Sequence, residues 1–264
     1  MKEVVSTRLR RVYVWELPVR VYHWVNVLAI VALCVTGYLI GSPPAVQSNA
    51  EPSFRHLFGL IRFIHFVAAY IFFFNFVFRI YWGFVGNKYA DWKNFIPTRK
   101  AFFKDLIDVL RIDILLKKNK EHMAIGHNAM AGFSYFLTFI AFLVQCITGF
   151  ALYADMSTWW FADLWVPIAH LFGEDFNLRN WHHAAMWFFI VFSIVHIYLV
   201  FFHDYVEARG ETSSMVGGWK FIEDDAWEKE QKIEEVIERA KRQKQITKRK
   251  KRATPRSKTP KKEE

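Results

Sequence analysis

Four histidines lie in or beside apolar runs that are long enough to cross a bilayer. They are His23, His65, His182 and His196. An ionisable side chain inside a membrane is costly, so it marks a candidate functional site. Imidazole is also a common metal ligand. The positions of these four residues therefore decide what chemistry the chain could perform.

The spacing of the histidines predicts that they lie at two levels of one helical bundle, one near each side of the membrane. His182 and His196 are fourteen residues apart. On a helix they would lie about 40° from each other on one face and roughly 21 Å apart along the axis. His183 falls on nearly the opposite face. One face thus carries an imidazole near each side of an apolar core about 30 Å thick. Two stacked redox centres that cross a membrane need this arrangement.

Three of the four histidines follow an arginine by three positions at the start of an apolar run. The pairs are Arg20 with His23, Arg62 with His65, and Arg179 with His182. On a helix, residues three apart share a face, and arginine can reach toward the interface. We interpret each arginine as a candidate partner of a haem propionate, above a histidine that binds iron. An interfacial arginine beside a hydrogen-bonded histidine is the alternative, which three occurrences disfavour.

The composition predicts an all-α integral membrane four-helix bundle. The chain is 53% hydrophobic and 18% aromatic. Runs of spanning length occupy residues 21–40, 63–85, 129–153 and 183–203. The apolar stripe in 101–116 predicts an amphipathic helix on the cytoplasmic surface. We expect one domain over residues 1–218, followed by a charged cytoplasmic tail over 219–264 that is partly helical or disordered.

Charge and cysteine usage narrow the class of protein further. The net charge is +10, and Lys and Arg concentrate at both ends and in the 87–125 loop. The positive-inside rule then places both termini in the cytoplasm. The charge suits anionic lipid, and without a recognised motif we expect no nucleic-acid partner. The chain contains no CxxCH or CxxC motif, which disfavours covalent c-type haem and thiolate-bound metal. The N-terminus does not resemble a secretory signal.

Topology pairs the histidines. The outer pair consists of His65 and His182, and the inner pair consists of His23 and His196. Two neutral imidazoles on one iron give a six-coordinate b haem that transfers electrons without binding a substrate. His127 is the alternative inner ligand to His23, and His127 with Asn128 is our candidate quinone site.

The other histidines receive lesser roles. His183 is expected to contact a neighbouring helix or the interface, and His203 lies at the cytoplasmic exit. Loop positions are predicted for His56, His122 and His170.

Several stretches together resemble the b-type cytochrome subunit of membrane-bound nickel–iron hydrogenases. They include PVRVYHWVNV, VTGYLIG, IRFIHF, FRIYWGFVGNKY, IGHN, ITGFALY and WHHAAMWFFIVFSIVHIY. The resemblance implies two b haems, carried here by the outer and inner pairs. It implies that hydrogen is split on separate large and small subunits. Electrons would pass from the iron–sulfur small subunit through this chain to menaquinone or ubiquinone, in the cell inner membrane.

Two alternatives remain open at this stage. The gamma subunits of formate dehydrogenases share the four-helix, two-haem plan, so the electron donor could be a different enzyme. A non-redox membrane anchor or transporter could instead use the intramembrane histidines to move protons or a metal. A transporter is disfavoured by the small number of spans and the lack of a visible inverted repeat.

Overall fold

Four long apolar helices dominate the part of the chain that the computed structural model describes, residues 8–43, 56–96, 107, 129–207 and 209–253. They are α1 (Leu17–Gly41), α2 (Leu57–Val85), α3 (Ala129–Ala154) and α6 (Asp175–Glu207). Each contains a window of mean hydropathy 2.0 or higher and is long enough to cross a membrane. The predicted membrane helical bundle is confirmed.

Shorter elements join and follow these helices. Between α3 and α6 lie α4 (Trp160–Asp163), α5 (Val166–Ala169) and a 3-10 turn (His170–Phe172). After α6 come α7 (Glu211–Gly217) and α8 (Asp224–Ala253). A second 3-10 turn (Trp92–Asn94) follows α2. Apart from Ile107, the predicted amphipathic helix at 101–116 lies outside the described residues.

The long helices extend beyond the apolar runs that predicted them. α2 begins at Leu57 and α6 at Asp175, several residues before the expected starts at 63 and 183. Hydropathy detects only the residues in hydrocarbon, whereas helical hydrogen bonding continues into the polar interface. At α1 the start is fixed locally, because a proline occupies its first turn, where a missing N–H costs nothing.

An aromatic layer forms the core of the bundle between the two histidine levels. It consists of Ala29, Phe72, Phe76, Phe142 and Phe189, all of them buried. The rings of Phe72 and Phe142 are stacked with centroids 4.1 Å apart. Phe189 follows His182 by seven residues and precedes His196 by seven, so it lies midway between the levels. All four long helices contribute to this layer.

Two short strands, β1 (Leu9–Tyr13) and β2 (Trp219–Glu223), pair into a sheet. The Val14 N–H donates to the Gly218 carbonyl at one end, and the Asp224 N–H donates to the Arg8 carbonyl at the other, so the strands are antiparallel. These strands were not predicted from the sequence. Five-residue strands whose pairing is more than 200 residues apart leave little local signal.

The chain forms two compact units. One is Arg11–Phe221, which contains all four long helices. The other combines the two ends of the chain and includes α8. α8 carries acidic and basic side chains four residues apart, including Glu235 with Arg239 and Glu238 with Arg242. Such pairs support a solvated helix. The predicted domain boundary after residue 218 stays a prediction.

Candidate functional site

The outer pair lies where the N-terminal parts of α2 and α6 meet. The ring centroids of His65 and His182 are 6.5 Å apart, and the ring planes are inclined by 66°. Both side chains come from regular helix, so their directions are fixed by the backbone. The sequence prediction that these two histidines meet is thus matched by the geometry.

A threonine hydroxyl from a different helix holds each ring of the outer pair. Thr36 Oγ1 on α1 lies 2.9 Å from Nδ1 of His65. Thr148 Oγ1 on α3 lies 2.9 Å from Nδ1 of His182. Both threonines are buried. Gln145 adds a contact of 3.2 Å between its Nε2 and Nε2 of His182. These hydroxyl contacts were not predicted, although the Thr-Gly dipeptide occurs once in each of the two helices.

The glycine after each threonine lets the imidazole approach. A Cβ added at Gly37 would lie 3.3 Å from Cε1 of His65. One added at Gly149 would lie 3.1 Å from Cε1 of His182. Both distances are tighter than an ordinary carbon contact. The repeated Thr-Gly unit therefore supplies a hydroxyl for the ring nitrogen and space for the ring itself.

The inner pair joins α1 to α6 at the other level of the bundle. The ring centroids of His23 and His196 are 6.3 Å apart, at 53°. His196 is stacked on Phe192, with centroids 5.5 Å apart. Nδ1 of His23 is buried and has no hydrogen-bond partner among the described residues. Within the described part of the chain, Nδ1 of His23 thus lacks the threonine support that both rings of the outer pair have.

The separation of the rings tests whether each pair fits a haem. A metal–imidazole bond is about 2 Å and the ring centroid lies about 1 Å behind the nitrogen, so two imidazoles on opposite sides of one metal have centroids about 6 Å apart. The observed 6.5 and 6.3 Å agree with that value. The donor set, two neutral imidazoles without cysteine, suits a non-covalent b haem. Both pairs pass this test.

The three arginines have different surroundings. The Arg20 guanidinium donates to the Val216 carbonyl, while its buried Nε has no partner within the described segments. Arg179 forms an exposed ion pair with Asp175, with Nε 3.1 Å from Oδ2. Arg62 is exposed. Their proposed contact with haem propionates stays a prediction.

The remaining histidines that the structure describes do not take part in either ring pair. The ring of His183 packs on α1, where a Cβ added at Gly41 would lie 2.2 Å from its Cε1. His183 therefore contacts a neighbouring helix, one of the two environments expected for it. His56 and His170 are exposed. His122, His127 and Asn128 lie outside the described residues, so the candidate quinone site stays a prediction.

An arginine within the apolar helix α2 was not singled out from the sequence. Arg79 lies near the C-terminal end of α2, and its Nη2 donates to the Ala90 carbonyl at 3.1 Å. The guanidinium carbon lies 5.2 and 4.9 Å from the ring centroids of Trp92 and Phe95. The charge in the apolar run FVFRIYW was the available signal. Here the segment after α2 folds back and covers the charge.

The FRIYWGFVGNKY stretch also closes this end of α2. Glu16 Oε2 accepts hydrogen bonds from Nε1 of Trp82 at 3.1 Å and from the Asn87 N–H at 2.9 Å. Asn87 Nδ2 donates to the Val14 carbonyl at 2.8 Å. The Trp92 side chain lies where a Cβ at Gly83 would be, 2.2 Å from its Nε1. This stretch therefore anchors α2 to the start of α1.

Four apolar helices with two cross-helix histidine pairs define the class of haem-binding membrane bundles. Residues 14–218 match the model of the family described as prokaryotic cytochrome b561. The chain belongs to this family. It is thus an integral membrane b-type cytochrome that transfers electrons.

Curated relatives cover most of the chain. A protein of Azotobacter vinelandii is 41% identical over 221 residues, covering 81% of this chain and 90% of the relative. One from Cupriavidus necator is 39% identical, covering 82% and 89%. One from Escherichia coli K12 is 35% identical, covering 79% and 90%. The first two are named probable Ni/Fe-hydrogenase B-type cytochrome subunit, and the third carries the corresponding name for hydrogenase 1.

Proposed function

We propose that this chain holds two b haems and carries electrons from the iron–sulfur subunit of a periplasm-facing nickel–iron hydrogenase across the membrane to quinone. His65 and His182 would bind one haem, and His23 and His196 the other. The observation that carries the proposal is the presence of two imidazole pairs of nearly equal separation at two levels of one bundle. A bis-imidazole haem supplies reversible one-electron chemistry without an open coordination position.

The chain's own residues would orient and insulate this chemistry. The four imidazoles fix two sites on rigid helices, and Thr36 and Thr148 fix the rings of the outer pair. The aromatic layer excludes water between the sites, because its side chains are buried and apolar. Arg20, Arg62 and Arg179 are the candidate propionate partners, each one turn from a ligand.

The hydrogenase partner is proposed from the relatives' names and from the outer end of the bundle. The segment between α3 and α6 exposes large apolar side chains, including Trp160 at 65% and Leu171 at 84%. Exposed apolar surface beside a membrane suits a docking subunit as well as lipid. The small subunit would bind there, with the large subunit held through it. A formate dehydrogenase partner is the alternative.

The acceptor side and the topology complete the proposal. Quinone would be reduced near the inner pair, with His127 and Asn128 as candidate contacts. Both termini would lie in the cytoplasm, in the cell inner membrane, as the distribution of basic residues predicts. The quinone would be menaquinone or ubiquinone.

Haem content tests the site. We expect two b haems per chain by pyridine haemochrome in the detergent-purified protein. His182→Ala should remove the outer haem and His23→Ala the inner one, because each leaves its iron with a single protein ligand. His170→Ala is the matched control, since that side chain is exposed, and it should retain both. A protein without haem would favour a non-redox anchor or transporter, and haem that survives loss of all four histidines would overturn their assignment as ligands.

The donor is tested separately in native membranes. Affinity purification of the tagged chain in mild detergent should recover nickel–iron hydrogenase subunits, and hydrogen gas should reduce the b-type absorption bands. Recovery of molybdenum-enzyme subunits, with reduction by formate and not by hydrogen, would instead support the alternative partner while leaving the haem assignment intact.

A further inference from the structure

The two histidine pairs differ in what holds the Nδ1 nitrogen of the ring. Both rings of the outer pair have a threonine Oγ1 at 2.9 Å from Nδ1. In the inner pair, Nδ1 of His23 is buried without a partner among the described residues. This difference is independent of the ring separations, which are nearly the same.

The hydroxyl hydrogen of each threonine already forms a hydrogen bond to a backbone carbonyl of its own helix. Thr36 Oγ1 donates to the Ala32 carbonyl at 2.6 Å. Thr148 Oγ1 donates to the Val144 carbonyl at 2.7 Å. A hydroxyl has one hydrogen, and a carbonyl oxygen only accepts. Each threonine oxygen must therefore accept from the histidine, and Nδ1 of His65 and of His182 carries the proton.

The remaining nitrogen, Nε2, is then the one that carries the lone pair. Gln145 gives separate support, because its amide Nε2 can only donate and lies 3.2 Å from Nε2 of His182. Nε2 is thus poised as the ligand atom on both rings. The hydrogen bonds of the folded protein thus favour the tautomer with the proton on Nδ1, whether or not a metal is bound.

A hydrogen bond from Nδ1–H makes imidazole a stronger electron donor to a bound metal. A stronger donor stabilises the oxidised metal relative to the reduced one and lowers the reduction potential. Two such bonds act on the outer pair. The reduction itself adds one electron and no proton, since Nδ1 keeps its hydrogen in both states.

We propose that Thr36 and Thr148 are positioning residues that lower the reduction potential of the outer haem below that of the inner haem, so that electrons run downhill from the outer pair to the inner pair. This inference rests on the proposed haem assignment. It assigns a chemical role to the repeated Thr-Gly unit.

Spectroscopic redox titration of the purified dihaem protein tests the inference. Two one-electron waves are expected, and His182→Ala identifies the outer one by abolishing it. Thr36→Val and Thr148→Val should each raise the midpoint potential of the lower wave by about 30 mV. At a fixed potential this is roughly a threefold change in the ratio of reduced to oxidised haem. The upper wave should stay in place. Thr36→Ser and Thr148→Ser, which retain the hydroxyl, should restore the original potential.

Thr138 provides the matched control. It is buried on α3 and its hydroxyl donates to the Ser134 carbonyl in the same way. Thr138→Val should leave both waves unchanged. If a valine variant at 36 or 148 loses haem, the alanine variant, which leaves more space for the ring, is titrated with the same expectation.

The outcomes separate the two proposals. Two bound haems with a lower wave that does not move in the threonine variants would overturn this inference alone. The same holds if the lower wave belongs to the inner pair. A protein with fewer than two haems, or with haem unaffected by the histidine substitutions, would overturn the proposed function itself.

Discussion

At the scale of single residues, Gly149 sets how closely the ring of His182 approaches α3. A methyl group there would lie 3.1 Å from Cε1, so the ring would have to move by a few tenths of an ångström. Such a shift would strain the hydrogen bond to Thr148, whose geometry depends on that approach. Space at one glycine thus controls the orientation of the His182 ring on another helix.

We therefore expect Gly149→Ala to weaken haem retention and to lower the thermal midpoint in detergent. Gly59→Ala is the control, because a Cβ there meets only Cβ of His56, at 3.9 Å. Alanine is favoured over glycine inside a helix by up to about 1 kcal/mol, so the control should be neutral or stabilising. Equal behaviour of the two variants would show that the ring of His182 adapts freely.

The positions of the four histidines were predicted from the sequence more completely than any other part of the site. Helical spacing and the charge of the loops predicted that His65 meets His182 and that His23 meets His196, and the structure brings both pairs together. Their role as iron ligands stays a prediction. The threonine contacts could not be predicted, because spacing along one helix does not say which hydroxyl on another helix faces a ring.

At the scale of elements, the segment after α2 depends on one asparagine. The Asn87 side chain donates to the Val14 carbonyl at 2.8 Å, and its Oδ1 accepts from the N–H groups of Tyr89 and Ala90, both at 3.1 Å. It thereby fixes the turn that covers Arg79 and ties α2 to the residues before α1. Hydropathy gave no sign of this fold-back, because its contacts are polar and partly between distant positions.

Asn87→Ala should lower the free energy of unfolding by about 2 kcal/mol, since three hydrogen bonds are lost and the partners are left in partly buried positions. A thermal or denaturant midpoint in detergent measures the change. Lys93→Ala is the comparison in the same segment, where a largely exposed ion pair to Asp91 should contribute under about 0.5 kcal/mol. A midpoint unaltered by Asn87→Ala would mean that other contacts suffice to hold the turn.

At the scale of the whole molecule, the candidate site belongs to one compact unit. The four histidines and both threonines lie within Arg11–Phe221. The charged helix α8 belongs to the other unit. The bundle was predictable, because four long apolar runs leave few other folds for a chain of this length. The sheet of β1 and β2 was not, because its pairing joins the two ends of the chain.

A variant that ends after Glu223 should therefore keep two haems per chain and both potentials. A variant that ends after Ala253 serves as the control for loss of the last residues alone. Pyridine haemochrome and redox titration of the two proteins are the measurements. Loss of a haem only in the shorter variant would assign α8 a part in the site.

The aromatic layer has an electrical consequence. Buried apolar rings form a low-dielectric film, and a voltage across a membrane falls mainly over such a film, as it does across the insulator of a capacitor. An electron that passed between the two proposed haems would cross this film, and its free energy would change by up to about 2.3 kcal/mol for each 100 mV. A negative interior would therefore oppose inward transfer and favour outward transfer, so the membrane voltage itself would act on the rate.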